Sequence, residues 1–543
     1  MNTQYQNEPK PSQIDIPLFK DEQGKEQPFL YFANLKINTT VDNNFVIIQS
    51  PQDNYTQDEH FFHFTREEFE DEDIQDENEM MRQYHFETNF LKTNALIAKT
   101  IIYRKDYDEE ENENYKMVSY SVPNPCTLNV FNNLEIINGN LKQPTGYYYT
   151  EMVEGTMITL FHDGDKWEIA TRSNIGGNYS YFQNKYELPI NNLKNYHASL
   201  ITEIFSGRVK TFQQMFYEAL FNEELNGDFH EELNAKLTEN NIFTDYCYTF
   251  VVQHPAHSFV AVFETPKIYL LSVSHIKQLD EEYDDWKYNI TLYDAECMHH
   301  KNRNNYPFVK QLTDAFKSIK FPKQDFIVFG VPDKFLKISN DDYYYRTAED
   351  RKKTFIEFFV EKYKNNPLNQ HRQGIIVYSL QPNSDFKHRM MVFTDTYLHK
   401  MQLRTNHPNF QYTYFELLKN HNMGEFLYHF PQFQTLLSAI HTQFEKFVEV
   451  LFKLYKVYIA NAKSKVKISF PHKFHKHIIA LHNLYKQKNF DTNNTNNKKT
   501  TKFIINDNVV RNYLLGLEVS YLINNLNYEI NLQTQLPETF EDA

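Results

Sequence analysis

The chain has 543 residues, a formal net charge of −15 and three cysteines, and 41% of its residues are hydrophobic. This length and apolar content exclude a largely disordered chain and favour two or three domains, while three widely spaced cysteines exclude a disulfide framework and a spaced zinc motif. Because no apolar run reaches the length of a membrane span, we expect a soluble, intracellular and cytoplasmic protein with no membrane partner.

The order of patterns along the chain predicts four regions. Residues 1–28 are polar and contain several prolines, which favours a flexible arm. Residues 29–94 combine strand-like runs with an acidic loop, and residues 95–409 mix strands with helices. From 410 to 543 the apolar residues follow a helical period. We predict an α+β fold, in which a mixed, mostly antiparallel sheet domain is followed by a small all-α C-terminal domain.

The period of the apolar residues also predicts individual elements. The predicted strands are 95–103, 116–122, 157–161, 166–172, 246–253, 259–263, 268–274, 326–331 and 373–380. The predicted helices are 211–221, 348–364, 433–458, 472–486 and 509–526. Between the third and fourth strands, Asp163-Gly164 is a strong short-range signal for a tight turn. We therefore predict a strand, a turn and a strand, a central hairpin in the sense that the rest of the chain is organised around it.

The residues before this hairpin carry a family motif. Met152-Val153-Glu154-Gly155-Thr156 stands where covalent nucleotidyltransferases (ATP-dependent ligases and capping enzymes) have Lys-x-(Asp/Asn/Glu)-Gly. Further family segments follow in order: KWEIATR at 166–172, FVVQHP at 250–255, LRTNHP at 403–408 and YFEL at 414–417. The ordered set resembles the RNA ligase-like branch, especially uncharacterised relatives encoded by large DNA viruses. For a viral protein, the resemblance implies a place in the viral factory or virion.

The resemblance implies chemistry that this sequence departs from. In the family a lysine amine attacks the nucleotide α-phosphate, and acidic residues on neighbouring strands hold Mg²⁺ and ribose. Here the nucleophile position is Met152, whose thioether cannot form a phosphoramidate. Gln253 and Gln373 stand where the family has carboxylates, and an amide lacks the charge that a hard divalent ion requires. We therefore expect a nucleotidyltransferase fold with degenerate motifs and no self-nucleotidylation.

The same resemblance implies a site for ATP or GTP with Mg²⁺. The candidate nucleotide-binding residues are Glu154, Gly155, Arg172, Gln253 and Gln373. Glu154 has the alternative role of capping a turn, and Gly155 permits a close backbone approach. Arg172 offers a fork of donors to a phosphate, with a surface ion pair as the alternative.

A basic C-terminal stretch predicts a surface for RNA. Residues 440–503 contain 13 lysines and 3 acidic residues, although solvated helix faces explain the same pattern. The candidate contacts to a phosphate backbone are Arg404, Lys463, Lys465, Lys467, Lys473 and Lys476. Arg404 has the alternative role of a clamp between the sheet domain and the helical tail. No metal site is predicted, because the run Cys297-Met298-His299-His300 lacks a second spaced pair.

Three functions remain open. The first is a degenerate RNA ligase-like protein that binds RNA or a nucleotide without self-nucleotidylation. The second is an active ligase whose nucleophile comes from elsewhere, for example Lys116 or Lys166. The third is a structural or assembly protein in which side chains such as Met152 fill the former pocket. His254 is either a polar turn residue or a group in that pocket.

Overall fold

In a computed structural model of the protein, the chain forms two compact units. The first unit contains residues up to 179 and residues 210–398, and the second contains the residues from 399 onward. The structure describes residues 12–17, 38–42, 45–49, 100–107, 113–123, 125, 128, 131, 146–179, 210–257, 259–278, 286–294, 297, 302–329, 335–338, 343–345, 355–380, 389–405, 407, 409–464, 472–494 and 503–527. The predicted domain limits stay predictions.

The first unit is built mainly from strands. Those in the described residues are β1 (Ser12–Pro17), β2 (Asn38–Asp42), β3 (Phe45–Gln49), β4 (Thr100–Tyr107), β5 (Glu113–Tyr120), β6 (Gly146–Glu151), β7 (Thr156–His162), β8 (Trp167–Ala170), β9 (Tyr246–Gln253), β10 (Lys267–Gln278), β11 (Trp286–Tyr293), β12 (Ile319–Lys320), β13 (Gln324–Phe329), β14 (Phe335–Ile338), β15 (Tyr343–Tyr345), β16 (Gly374–Leu380) and β17 (Arg389–Phe393).

These strands form three sheets. A seven-stranded sheet has the order β1-β11-β10-β9-β7-β8, with the short β12 parallel to β10. A six-stranded sheet has the order β15-β14-β13-β6-β16-β17, and a four-stranded sheet has the order β2-β3-β4-β5. The neighbours other than β10 and β12 are antiparallel. Because β6 and β7 are consecutive but lie in different sheets, their connection joins the two larger sheets.

Helices cover the two larger sheets of this unit. They are α1 (Phe212–Phe221), α2 (Phe229–Glu239), α3 (Pro307–Ala315) and α4 (Phe355–Asn365). Helices α1 to α3 share one apolar core with the seven-stranded sheet, in which Trp167 is buried. Helix α4 packs with the six-stranded sheet. Helix α1 begins at a capping box, because the Thr211 hydroxyl accepts from the N–H of Gln214 while the Gln214 side chain accepts from the N–H of Thr211.

The described residues of the second unit are helical. Helix α5 (Asp395–Arg404) leads into it, followed by α6 (Phe410–Lys419), α7 (Met423–His429), α8 (Gln434–Ser464), α9 (His472–Asn494), α10 (Asp507–Leu515) and α11 (Val519–Leu526). Polar contacts supplement the apolar packing: the amides of Gln411 and Asn527 exchange hydrogen bonds in the core. Arg511 of α10 forms a two-point ion pair with Glu445 of α8.

These elements confirm the predicted α+β class, with mostly antiparallel sheets and a helical C-terminal region. The predicted central hairpin is present as β7 and β8, and the predicted strand 246–253 coincides with β9. The predicted helix 211–221 is α1, with Thr211 as its N-cap. None of the described helices combines the length and apolar character needed to cross a bilayer.

Two predictions on the first unit need correction. Residues 1–28 are predicted as a flexible arm, but Ser12–Pro17 forms β1 at the edge of the seven-stranded sheet, where β11 offers unpaired backbone groups. Residues 259–263 are predicted as a strand, but they form an irregular loop. Their apolar pattern has another cause, since Val260 and Phe263 are buried without strand pairing.

The predicted helices of the second unit also differ at their ends. The predicted helix 509–526 is two helices, because α10 ends at its C-cap Gly516 and α11 begins at Val519. The predicted helices 433–458 and 472–486 continue to Ser464 and Asn494. Parts of some predicted elements, 95–99, 330–331 and 348–354, lie outside the described residues.

Candidate functional site

The connection between β6 and β7, residues 152–155, is fixed to the six-stranded sheet at its start. The N–H of Met152 donates to the carbonyl oxygen of Gly374, the first residue of β16, at 3.0 Å. One residue earlier, the N–H of Glu151 donates to the carbonyl oxygen of Lys323 at 2.8 Å. Main-chain hydrogen bonds therefore position the residue that stands at the nucleophile position.

The end of the same connection is fixed to the seven-stranded sheet. Gly155 has a φ of +152°, a backbone conformation that residues with a Cβ atom rarely adopt. A Cβ at this position would lie 2.4 Å from the carbonyl oxygen of Val252 on β9 and 2.7 Å from Cγ1 of Val251. These distances confirm the predicted close backbone approach at Gly155, and they explain why the connection needs glycine there.

The carboxylate of Glu154 is engaged by backbone groups. It accepts from the N–H of Val260 at 2.6 Å and from the N–H of Ala261 at 2.9 Å. The carbonyl oxygen of Glu154 accepts from Nε2 of Gln253 at 2.8 Å. Because an ionised carboxylate binds N–H groups strongly, these contacts hold the loop at 259–263 in place. Of the two roles predicted for Glu154, they support the structural one.

Gln373 lies immediately before β16. Its Nε2 donates to the hydroxyl oxygen of Tyr397 at 3.2 Å, and its carbonyl oxygen accepts from the N–H of Thr394 at 3.0 Å. The side-chain oxygen of Gln373 is buried and has no hydrogen-bond partner among the described residues. Buried acceptors are normally satisfied, so this oxygen lacks the hydrogen bond that such an atom usually has.

Three segments that are distant in sequence thus meet at the β6–β7 connection. Gln253 bonds to it from β9, and Gln373 is next to the glycine that bonds to Met152. The three segments carry the thioether of Met152 and the amides of Gln253 and Gln373, which the resemblance predicts in one site. The site can offer hydrogen bonds to a base or a sugar, but these three side chains offer no charge to a metal ion.

Charged groups close to this connection were missed by the sequence reasoning. Burial raises the pKa of Tyr363 to about 12 against the opposing charge of Arg372, and the nearby carboxylate of Glu151 contributes to this rise. Burial and Glu151 also raise the pKa of Tyr269 on β10. Lys267 lies opposite Gln253 in the β9–β10 register, and its ammonium is a candidate partner for a phosphate. In the sequence, the only indication of these charged groups was that Glu151 directly precedes the motif at 152–156.

Two further sequence candidates have different positions. Ala170, the last residue of β8, pairs with Thr159 of β7. Arg172 follows two residues later, so it lies beyond the open end of the hairpin, the end at which β7 begins. His254 is buried, and its Nε2 lies 3.1 Å from a carboxylate oxygen of Glu218. Burial lowers the pKa of His254, although Glu218 opposes this shift. The N–H of Ala256 donates to Nδ1 of His254 at 3.0 Å, which supports the turn-residue role of His254.

The two lysines considered as displaced nucleophiles lie at the other end of the hairpin. Lys166 follows β7, whose length separates it from Met152 by roughly 20 Å at about 3.3 Å per residue. Lys116 lies opposite Arg104 in the β4–β5 register, and Nη1 of Arg104 donates to the carbonyl oxygen of Asp163 in the turn. Neither lysine therefore lies near Met152.

The burial of Arg404 contradicts its predicted contact with a phosphate backbone. Its relative exposure is 0%, and its guanidinium carbon lies 4.4 Å from the ring centroid of Phe410 and 5.2 Å from that of Phe433. A guanidinium over aromatic rings is stabilised by cation–π attraction. These contacts lie within the second unit, and the predicted clamp with the sheet domain stays a prediction.

The predicted RNA surface on the C-terminal helices is only partly described. Lys476 is exposed on α9, and Lys473 is half-buried, with its Nζ 5.2 Å from the ring centroid of Phe474. The side chain of Lys463 and the whole of Lys465 and Lys467 lie outside the described residues. The role of this surface stays a prediction.

The comparisons with known proteins identify no family. No family model matches the sequence, and no curated protein matches it. Among solved structures, a putative ATP-dependent DNA ligase from Aquifex aeolicus is similar over 75% of this chain and 80% of that chain, at 10% sequence identity and a TM-score of 0.23. Because this TM-score is too low to support an argument, the functional proposal depends on the residues of the site.

Proposed function

We propose that this chain is a catalytically inactive protein of the nucleotidyltransferase type, similar to the RNA ligase-like branch, which binds a nucleotide or an RNA end without forming a covalent adduct. The observation that carries the proposal is the convergence of residues 152–155, Gln253 and Gln373 at the junction of two sheets. If these motifs derive from one nucleotide-binding site, they are expected to lie close together in the fold although they are distant in sequence.

The residues at this junction support binding without covalent chemistry. A phosphoramidate requires an activated amine, and Met152 has none. The lysines considered as replacements lie at the opposite end of the hairpin. The ligand we propose is ATP or GTP, whose own phosphates would bring Mg²⁺ with them. The buried oxygen of Gln373 and the amide of Gln253 are suited to a base or a sugar, and Lys267 to a phosphate.

The first test separates binding from adduct formation. The full chain is incubated with α-labelled ATP or GTP and Mg²⁺ or Mn²⁺, then analysed by denaturing electrophoresis and, in parallel, by equilibrium dialysis. We expect retention in dialysis and no label on the denatured protein. A covalent label would refute inactivity, whereas an absence of both label and retention would refute the proposed nucleotide site.

A variant of Gln373 locates the ligand. Gln373→Leu removes the buried oxygen, and we expect it to weaken nucleotide retention at least tenfold, because the ligand loses its acceptor. Gln370→Leu is a matched control, since the side chain of Gln370 donates to the carbonyl oxygen of Lys364 and contacts Thr396, outside the site. Equal effects of the two substitutions would argue against a site at Gln373.

RNA binding is the second part of the proposal. Basic residues on α9 such as Lys476 would contact phosphates, and the affinity should then fall steeply with salt. A filter-binding titration of single-stranded RNA at two salt concentrations measures this dependence. We expect Lys476→Glu to weaken binding at low salt, and unchanged binding would exclude this surface.

A structural or assembly role is the second candidate. It is favoured by one specific observation: Glu154 and Gln253 use their polar side chains in hydrogen bonds within the protein. A site converted entirely into structure would retain neither nucleotide nor RNA. The dialysis and filter-binding experiments therefore separate the two candidates.

A further inference from the structure

Two helices of the second unit bring three metal-ligating side chains together. His399 lies on α5, and Glu425 and His429 lie on α7. The ligand atoms that these residues offer all lie within 4.8 Å of one another. Glu425 and His429 are four residues apart, which places them one turn apart on the same face of the helix. This cluster is independent of the proposed nucleotide site.

We propose that His399, Glu425 and His429 bind a zinc ion. Two imidazoles and one carboxylate are a ligand set that zinc uses in sites with an open fourth position. Calcium and magnesium are a poor match, because they prefer oxygen ligands. Copper and nickel bind imidazole as well, and which of these metals occupies such a site in the cell also depends on how much of each metal is available.

The distances fit a tetrahedral ion after small side-chain rotations. His399 Nε2 lies 2.8 Å from Glu425 Oε1, and the rings of His399 and His429 have centroids 6.0 Å apart. Bonds of about 2.0–2.1 Å to zinc place tetrahedral ligand atoms about 3.3 Å apart. The His399–Glu425 pair therefore has to open slightly, and His429 has to turn towards it.

Exposure and charge permit this rearrangement. The side chains of His399 and Glu425 are each 47% exposed, so they can rotate and leave a coordination position open to water. The ammonium of Lys400 opposes a cation at this place, and the Glu425 carboxylate offsets it. A bound ion would join α5 to α7.

Zinc titration of the full chain tests the site. The protein is stripped with a chelator and titrated with Zn²⁺ by calorimetry, and Co²⁺ is added separately to record a visible absorption spectrum. We expect one strong site and a tetrahedral Co²⁺ spectrum. The double variant His399→Ala/His429→Ala should weaken zinc binding at least tenfold and abolish that spectrum, while Glu425→Gln should weaken the binding to a smaller degree.

The control removes two histidines from elsewhere in the chain. His299→Ala/His300→Ala deletes an adjacent histidine pair elsewhere in the sequence, and it should leave the strong site unchanged. Circular dichroism establishes that each variant is folded. Equal binding by the wild-type chain and His399→Ala/His429→Ala would overturn the proposal, and so would loss of the strong site in the control variant.

Discussion

Gly155 shows how one residue controls the path of the chain through the candidate site. Its φ of +152° and the carbonyl oxygen of Val252, 2.4 Å from any added Cβ, are separate constraints. An unusual dihedral alone costs about 1–3 kcal/mol. The close contact adds to this cost, because β9 would have to move. We therefore expect Gly155→Ala to lower the free energy of unfolding of the first unit by more than about 3 kcal/mol.

Gly176→Ala is a matched control for this prediction. Gly176 has a φ of +81° but nothing within 4 Å of an added Cβ, so its substitution isolates the dihedral cost of about 1–2 kcal/mol. Denaturant unfolding followed by tryptophan fluorescence measures the free energy of unfolding of both variants, since Trp167 and Trp286 belong to the first unit. Equal losses would mean that the approach to Val252 contributes nothing.

The sequence could identify the motif residues but not what their side chains contact. The role of Glu154 depends on N–H groups that lie more than 100 residues later. Those groups belong to the loop 259–263, whose apolar pattern predicts a strand, and a strand would have used its N–H groups in a sheet. The role of Glu154 was therefore predictable only as one of two alternatives.

Between elements, the ion pair of Glu445 and Arg511 joins α8 to α10 and gives a pH-dependent contribution to stability. Hydrogen bonds from Arg511 hold the pKa of Glu445 below its ordinary value of 4.5. A carboxylate with a lowered folded-state pKa stabilises above its unfolded pKa, and this stabilisation is lost as the pH falls through the folded value. We expect Glu445→Gln to cost about 0.5–1 kcal/mol at neutral pH and progressively less below pH about 4.5.

Far-UV circular dichroism during denaturant unfolding measures this effect, because the described part of the second unit is helical. Glu449→Gln is the matched control on the same helix. Glu449 pairs with Lys453 one turn away, but both are well exposed, so solvent screens the pair and we expect no measurable change. A cost at Glu445 that stays constant down to acidic pH would show that packing, not charge, is responsible.

Local sequence patterns predict an element well where the apolar positions of the pattern are the residues that become buried. Asp163-Gly164, with alternating residues on both sides, predicts the hairpin, and the apolar residues at helical spacing in 211–221 predict α1. The break at Gly516 was missed, because the apolar period continues from α10 into α11 while the glycine interrupts the backbone. The sequence does not predict the cluster of His399, Glu425 and His429 either, since the i, i+4 pair Glu425 and His429 is visible in the sequence but His399 comes from another helix.

For the whole molecule, the two proposed ligands belong to different units. The residues of the proposed nucleotide site belong to the first unit, and those of the proposed zinc site belong to the second. A ligand stabilises the native state of the elements to which it binds, by an amount set by its concentration and affinity. Local stability therefore reports on each site separately, and amide hydrogen exchange resolves it along the chain.

We predict that exchange of the full chain responds to the two ligands in different segments. ATP or GTP should slow exchange in peptides that cover residues 152–155, 246–253 and 373–380, because the N–H of Met152 and the strands around it lie at the site. Zn²⁺ should slow exchange in peptides from 395 to 429. His399→Ala should abolish the second effect and leave the first, since it removes a ligand of the metal alone. A nucleotide that protects only the second unit would place its site outside the β6–β7 connection, and zinc protection that survives His399→Ala would place the ion elsewhere.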